Sequence, residues 1–177
     1  MNDLISVLMC VYNRDDYVSE TILSVLKQTY QNFEFIIVDD GSIDKTVDII
    51  KSFNDSRIHL IENSHNGIAV SREICLKNCN GKYAAIIDSD DIMYPDRLEK
   101  QYQYMEDNPY IDILSCSMDY INDGGNVFGG FNANDEDVDA EKLSKGNCLS
   151  NSASFMRLSS IKNAKLHYKK SFDKLSF

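Results

Sequence analysis

The sequence lacks the features that mark several large classes of protein. It contains only two prolines, Pro95 and Pro109, among 177 residues, and it shows no internal repeat or low-complexity linker. No apolar run approaches the length that spans a bilayer. No basic segment or cleavage site precedes the first apolar run, which argues against a secretory signal. We therefore expect a globular cytoplasmic protein with one substantial core.

Basic clusters and nucleotide-binding glycine loops are also missing. The chain carries 18 Lys and Arg against 28 Asp and Glu, a net charge of −10. A nucleic-acid surface requires clustered positive charge, so this composition excludes nucleic-acid binding as the expected function. The sequence has neither a G-x-G-x-x-G nor a Walker loop, which counts against a dinucleotide dehydrogenase and a P-loop NTPase.

The cysteines do not form a disulfide pattern. Their number is odd, and two of them lie in apolar runs; the five are Cys10, Cys75, Cys79, Cys116 and Cys148. No nearby Cys or His completes a zinc set. This usage is typical of reduced, buried thiols in a cytosolic protein.

The first half of the chain alternates strands and helices four times. Apolar runs predict buried strands at residues 4–11, 33–38, 58–61 and 83–87. Apolar residues at helical spacing predict helices at 17–29, 44–53 and 68–78. Alternation of this kind predicts an α/β fold with a mostly parallel central sheet flanked by helices.

The pattern changes after residue 91. Pro95 suits the first turn of a helix that runs to about residue 108. We then expect a strand at 111–120, a glycine turn, a short extended segment at 127–128, a short helix at 138–145 and a strand at 152–156. Residues 158–177 show no clear element. We therefore divide the chain into a first half, 1–110, and a mixed second half, 111–177.

An acidic cluster follows the strand at 83–87. Asp88, Asp90 and Asp91 lie within four positions, and ligands of open α/β sheets bind at the carboxyl ends of strands. Carboxylates placed so close repel each other unless a cation arrives, so the segment predicts a divalent metal on Asp88 and Asp90 and, through it, a phosphate. The alternative is an acidic turn in which Asp91 or Asp96 caps the next helix.

Two other strand ends carry polar groups that suit a nucleotide. Asp39 could accept hydrogen bonds from a base or ribose, and Tyr12 could stack on the base. Arg72 could pair with a phosphate through its guanidinium. A metal on Asp90 would stabilise charge that develops on a leaving diphosphate.

These blocks resemble family 2 glycosyltransferases with the GT-A fold. The resemblance covers residues 4–98 and rests on segments 6–13, 28–42, 66–72 and 88–91, which follow the family's order and spacing. It implies transfer, usually with inversion, from a nucleotide-diphosphate sugar, mostly a UDP-sugar. The implied acceptor is a saccharide or a lipid-linked oligosaccharide in surface polysaccharide synthesis. Peripheral association of the full-length protein with the inner face of the membrane is also implied.

The resemblance makes 1–110 the nucleotide-sugar (donor) binding half and 111–177 the acceptor-side half, and it also assigns the site residues. It implies that Asp90, together with Asp88, holds Mn²⁺ or Mg²⁺. The residues that it implies for the nucleotide sugar are Val11, Tyr12, Asn13, Asp39, Asp40, Arg72, Asp88 and Ser89.

The sequence departs from the family where the catalytic base is expected. An inverting transferase needs a base to deprotonate the acceptor hydroxyl, and in the family this is an acidic residue that follows a segment like 147–157. Asp173 is the only acid after Glu141, and it resembles a position before the base. We therefore expect the base to lie beyond Phe177, which makes this chain a truncated form.

Three other functions fit parts of the pattern. A sugar-phosphate nucleotidyltransferase shares a nucleotide-binding sheet, but it is expected to carry a glycine-rich basic loop after the first strand. A non-catalytic nucleotide-sugar binding domain would keep the fold without transfer. A phosphoacceptor signalling domain could use Asp39 and Asp40 as its acidic cluster.

Overall fold

A six-stranded sheet with four parallel strands organises the protein. The computed structural model describes residues 3–133, 138, 140–145 and 149–168. The first half contains β1 (Ile5–Val11), α1 (Val18–Leu26), β2 (Phe33–Asp39), α2 (Thr46–Ser52), β3 (Ile58–Glu62), α3 (Ile68–Lys77) and β4 (Tyr83–Ile86). The second half contains α4 (Arg97–Asp107), β5 (Ile113–Leu114), β6 (Met118–Ile121), β7 (Val127–Phe131), α5 (Ala140–Lys145), β8 (Phe155–Arg157) and α6 (Leu158–Asn163).

The strand order is β3-β2-β1-β4-β8-β5. β1 pairs in parallel with both β2 and β4, and β2 pairs in parallel with β3. β8 runs antiparallel to β4 and to β5. The chain moves outward from β1 to β3 and then returns to the other side of β1 to form β4. This reversal creates a switch point between β1 and β4, where ligands of α/β sheets bind.

Helices cover both faces of the sheet because the strand side chains alternate between them. Val7 of β1 packs in the same cluster as Ile22 of α1 and Leu98 of α4. Leu8 lies on the opposite face in a cluster with Cys75 of α3 and Ile161 of α6. The predicted α/β class, the four parallel strands and their flanking helices are therefore confirmed.

Two predictions for the second half were wrong. Residues 111–120 do not form one strand, because Ile113 and Leu114 pair with β8, whereas Met118–Ile121 pairs with β7 in a separate hairpin. The segment after residue 158, expected to be irregular, begins with α6, whose Leu158 and Ile161 are buried. A six-residue helix offers only one such apolar pair, too little periodicity to identify from sequence.

The two halves share one sheet, since β8 from the second half pairs with β4 from the first. Among the described residues, no helix has the length and apolar character that crossing a membrane requires.

Candidate active site

A cavity of about 410 Å³ opens at the switch point between β1 and β4. Its walls come from the ends of β1 and β4 and the segments that follow them, from the loop after β3, and from Asp40 after β2. The lining residues include Tyr12, Arg14, Asp40, His65, Asp88, Ser89 and Asp90. The predicted convergence of the strand ends is therefore what the structure shows.

Asp39, the last residue of β2, keeps one carboxylate oxygen unused. Oδ2 accepts hydrogen bonds from the backbone N–H groups of Gly41 and Ser42, each at 3.0 Å. Oδ1 is buried and has no hydrogen-bond partner among the described residues. A buried acceptor without a partner costs about 1–3 kcal/mol, so a ligand that donates a hydrogen bond to Oδ1 would recover that energy.

The carboxylate of Asp40 supports the loop that follows β3. It accepts hydrogen bonds from the backbone N–H groups of Asn66 and Gly67 at 3.0 and 2.9 Å, and from the Ser71 hydroxyl at 3.0 Å. Nδ1 of His65 lies 3.0 Å from Oδ2 of Asp40. Asp40 is 4% exposed, so its carboxylate acts within the protein, and its predicted contact with a nucleotide stays a prediction.

Tyr12 presents an aromatic surface at the cavity. Its ring stacks on the ring of His65, with centroids 4.3 Å apart and an interplanar angle of 28°. Tyr12 remains 39% exposed, so the pair can still receive a planar ligand. Offset stacking of aromatic rings adds about 0.5–1.5 kcal/mol beyond area burial.

The turn after Tyr12 is fixed by Asn13. Asn13 has a φ of 49°, in the left-handed region that asparagine tolerates better than most residues. Its side-chain oxygen accepts from the N–H of Ile43 at 2.9 Å, and its own N–H donates to the Ser42 hydroxyl at 2.9 Å. Val11 is buried in the core. Asn13 and Val11 therefore shape the cavity through backbone and packing.

Two acidic residues after β4 each face an arginine. Oδ1 of Asp88 lies 3.6 Å from a guanidinium nitrogen of Arg72 in α3, and Oδ2 of Asp90 lies 3.3 Å from Nε of Arg14. The carboxylate side chains are 47% and 45% exposed. Both ion pairs are long, so the carboxylates can exchange these partners for a bound cation.

Burial raises the pKa of the Asp88 carboxyl, and the nearby carboxylates of Asp91 and Asp90 raise this pKa further, while Arg72 opposes the shift. A divalent cation would relieve that repulsion. In the described part of the chain, no group of three or more His, Cys, Asp or Glu side chains could hold a metal ion. Mg²⁺ and Mn²⁺ sites commonly use one or two carboxylates and complete their coordination with phosphate oxygens and water. Asp88 and Asp90 fit that donor set.

The loop that carries these acids is anchored on both sides. The Thr21 hydroxyl of α1 donates to the backbone oxygen of the buried Ser89 at 3.1 Å. The Ser152 hydroxyl donates to the carboxylate of Asp91. Asp91 therefore connects this loop to the segment before β8, and Ser89 contributes its backbone and packing.

The structure brings the predicted site residues to one edge of the sheet and adds others. Arg14 and His65, which line the cavity, and Tyr168, which lies beside Arg72 and Asp88, were not among the residues predicted from the sequence. The predicted metal ligands and phosphate-binding arginine were visible as motifs, whereas Tyr168 lies in a segment without an apolar period. Asp173, weighed above against the catalytic base, lies outside the described residues.

Comparison with known proteins connects this site to a family. A protein of Methanocaldococcus jannaschii, named as an uncharacterised glycosyltransferase, is 43% identical over 133 residues, which cover 72% of this chain and 46% of the relative. TuaG of Bacillus subtilis, provisionally named a teichuronic acid biosynthesis glycosyltransferase, is 44% identical over 105 residues, or 58% of this chain and 42% of the relative. The chain thus spans less than half the length of each relative.

Solved structures give the same fold. Staphylococcus aureus TarS 1–349, determined in complex with UDP, aligns with a TM-score of 0.79 over 99% of this chain and 52% of its own, at 22% identity. The Pyrobaculum calidifontis mannosyltransferase PcManGT, determined with GDP-Man and Mn²⁺, aligns with a TM-score of 0.61 over 66% of this chain and 36% of its own, also at 22% identity. These alignments identify the fold as GT-A. Residues 6–163 match the model of the family described as glycosyl transferase family 2, and with the acidic strand ends gathered at one cavity, the chain belongs to that family.

Proposed function

We propose that this protein transfers a sugar from a nucleotide-diphosphate sugar, with a UDP-sugar as the donor, to a saccharide or lipid-linked acceptor. The observation that carries the proposal is that the exposed Tyr12 and the paired acids Asp88 and Asp90 line one cavity at the switch point. The buried Asp39, with its unpartnered oxygen, lies at the end of β2 next to this cavity, since it pairs with the lining residue Val11. Family membership supports it, as do the solved TarS complexes with UDP and UDP-GlcNAc.

The nucleoside binds at the β1 and β2 ends of the cavity. Oδ1 of Asp39 accepts a hydrogen bond from the base, which removes the cost of its unpartnered state. Uracil presents a ring N–H donor of the required kind. The Tyr12 and His65 rings provide a stacking surface beside it.

The diphosphate binds between α3 and the loop after β4. Arg72 pairs with phosphate oxygens in the bidentate geometry that guanidinium favours. Asp88 and Asp90 would hold a divalent cation, Mn²⁺ or Mg²⁺, and the cation would supply positive charge where the leaving diphosphate develops negative charge. Arg14, which pairs with Asp90 at 3.3 Å, would then be available to a phosphate oxygen.

The transfer itself is a direct displacement at the anomeric carbon with inversion. It requires a base for the acceptor hydroxyl, and we assign none of the described residues to that role. We propose an acceptor in surface polysaccharide synthesis, at the cytoplasmic face of the membrane. The name of the relative TuaG supports this acceptor class.

The test is a calorimetric titration of the purified protein with UDP, GDP and CDP, each with and without Mn²⁺. We expect one nucleotide, UDP, to bind only when Mn²⁺ is present. Asp90→Ala should abolish this Mn²⁺-dependent binding of UDP, because it removes one of the two proposed cation ligands. Asp123→Ala is the matched control, since Asp123 is an exposed acid in the turn between β6 and β7.

Two outcomes would contradict the proposal. Failure of all three nucleotides to bind with Mn²⁺ would exclude a donor site in this chain. Equal binding by wild type and Asp90→Ala would exclude the assigned metal site. Phosphorylation of Asp39 by a small phosphodonor would instead support a signalling domain, but the buried Asp39 carboxylate already accepts two backbone hydrogen bonds.

A further inference from the structure

The chain reverses direction sharply after α6. Lys165 adopts a left-handed conformation with a φ of 52°. The N–H of Leu166 donates to the carbonyl of Ile161 at 3.0 Å, and the N–H of Lys165 donates to the carbonyl of Lys162 at 3.1 Å. This pair of hydrogen bonds is the Schellman arrangement that ends many helices. It directs residues 166–168 back over the sheet face that carries α3.

Tyr168 meets α3 at the residue that we assign to the diphosphate. Its backbone N–H donates to the Glu73 carboxylate at 3.0 Å, which fixes where the ring lies. The guanidinium carbon of Arg72 lies 5.8 Å from the centre of the Tyr168 ring. That distance is within the range of a cation–π interaction.

Arg72 is therefore held between two groups of different chemistry. The Tyr168 ring attracts its guanidinium, and Asp88 attracts it toward the strand end at 3.6 Å. A cavity of only about 10 Å³ remains between these residues and β1, which is room for about one water. The Arg72 side chain is 27% exposed, so the contact with Tyr168 restricts a side chain that would otherwise lie on a helix surface.

We infer that Tyr168 is a positioning residue that holds the Arg72 guanidinium toward the diphosphate site. The inference rests on the proposed function, because it assumes that Arg72 binds phosphate. It also goes beyond the family match, which ends at residue 163. Holding the guanidinium in place reduces the entropy that Arg72 loses when it binds a phosphate.

The experiment is a double-mutant cycle between Tyr168 and Arg72, measured by UDP titration in the presence of Mn²⁺. Tyr168→Ala should weaken UDP binding about two- to fivefold, the effect of one partly exposed cation–π contact. In an Arg72→Ala background the same change should have no effect, because the group that Tyr168 positions is gone. Tyr168→Phe keeps the ring and should bind UDP like wild type.

Two further variants separate positioning from simple packing. Tyr168→Leu covers Arg72 without a π system and should weaken UDP binding like Tyr168→Ala. Tyr110→Ala is the matched control, since Tyr110 is a tyrosine that is 71% exposed on the loop after α4, and it should leave UDP binding unchanged.

The same cycle is measured by urea unfolding, which needs no ligand. Coupling between Tyr168 and Arg72 in the unfolding free energy, without UDP binding by the wild type, would overturn the proposed function but keep the contact. Equal effects of Tyr168→Ala on UDP binding in both backgrounds would overturn the inference, as would wild-type binding by Tyr168→Leu. The proposed function would stand in either of those cases.

Discussion

Both edges of the central sheet carry carboxylates, but the hydrogen-bonding capacity of these carboxylates is satisfied to different extents. At the amino edge, the buried Glu34 accepts from the Ser6 hydroxyl at 2.5 Å and from the N–H and side-chain amide of Asn80 at 2.7 and 3.1 Å. At the carboxyl edge, Asp39 keeps an unpartnered oxygen, and Asp88 and Asp90 face arginines at 3.6 and 3.3 Å.

The difference indicates how the fold divides its ionisable groups. Polar groups at the amino edge use their bonding capacity on each other. Lys82 is paired in the same way, because its Nζ lies 2.7 Å from a carboxylate oxygen of both Asp3 and Glu106. Groups at the carboxyl edge retain capacity for a ligand, and strain or missing bonds in a folded protein commonly mark such positions. Four predictions test this division.

The largest effect is expected at the amino edge. Glu34→Ala should lower the free energy of unfolding by about 3 kcal/mol, because it leaves the Ser6 hydroxyl and the Asn80 N–H without their charged acceptor. Urea denaturation measures this loss. Glu34→Gln keeps an acceptor oxygen and should lose about half as much. UDP affinity of Glu34→Gln should equal that of wild type, and a large loss of affinity would contradict the division of edges.

The next effect is expected at the carboxyl edge, and it concerns UDP binding alone. Asp39→Asn should weaken UDP binding about 10- to 100-fold, corresponding to about 1.5–3 kcal/mol for a hydrogen bond to a charged group. Its amide oxygen can still accept from Gly41 and Ser42, so the unfolding free energy should change by less than about 0.5 kcal/mol. Calorimetry and urea denaturation measure the two quantities. Loss of stability with unchanged UDP binding would assign Asp39 to the scaffold.

A third prediction concerns pH at the amino edge. Hydrogen bonds from the Arg57 side chain and backbone lower the pKa of Asp55 to about 2. The folded-state pKa lies below the unfolded value, so the pair stabilises the fold above pH 4 and loses this contribution as the pH falls through 2. Solvent screening reduces the contribution to about 1 kcal/mol. In urea denaturation, Asp55→Asn should lose about 1 kcal/mol less stability than wild type between pH 4 and pH 2. An identical pH dependence of wild type and Asp55→Asn would contradict the stabilising role of the Asp55–Arg57 pair.

The smallest effect is expected for the exposed ion pair at the carboxyl edge. Arg14→Gln should change the unfolding free energy by less than about 0.5 kcal/mol, because Arg14 and Asp90 are 44% and 45% exposed and 3.3 Å apart. Lys82→Gln at the amino edge is the matched variant. It should lower the unfolding free energy by more than Arg14→Gln, because two carboxylates lose their cation. Equal costs in urea denaturation would remove the distinction between the edges.

Much of the sheet could be predicted from the sequence. The runs that became β1 and β2 are mostly apolar, as expected of strands buried on both faces, and both strands are buried almost throughout. The helices between them have a periodic apolar face. Elements of this kind are long enough for their periodicity to be distinctive.

The second half was harder because its elements are short. β5 has two residues and β8 has three, so neither shows a period. β8 lies between β4 and β5, where its Phe155 and Met156 are buried on opposite faces of the sheet. The pairing of β8 with β4 joins residues about 70 positions apart, and nothing in the local sequence specifies it.

The candidate site divides in the same way. The acids after β2 and β4 were visible as charges that follow apolar runs, but their different uses were not. Asp39 and Asp40 are neighbours in sequence, yet Asp40 accepts from a loop 26 and 27 positions away, whereas Asp39 retains an unpartnered oxygen. Which oxygen is used depends on the loop that folds over it.

The sequence by itself determined the α/β class, the parallel order of the first strands and the placement of carboxylates at their ends. Those properties follow from local periodicity, which fixes which residues are buried. The tertiary structure alone decided that β8 completes the sheet, that Asp40 supports a loop and that Tyr168 contacts Arg72. These contacts join distant residues, and their free energy depends on the positions that the whole chain gives them.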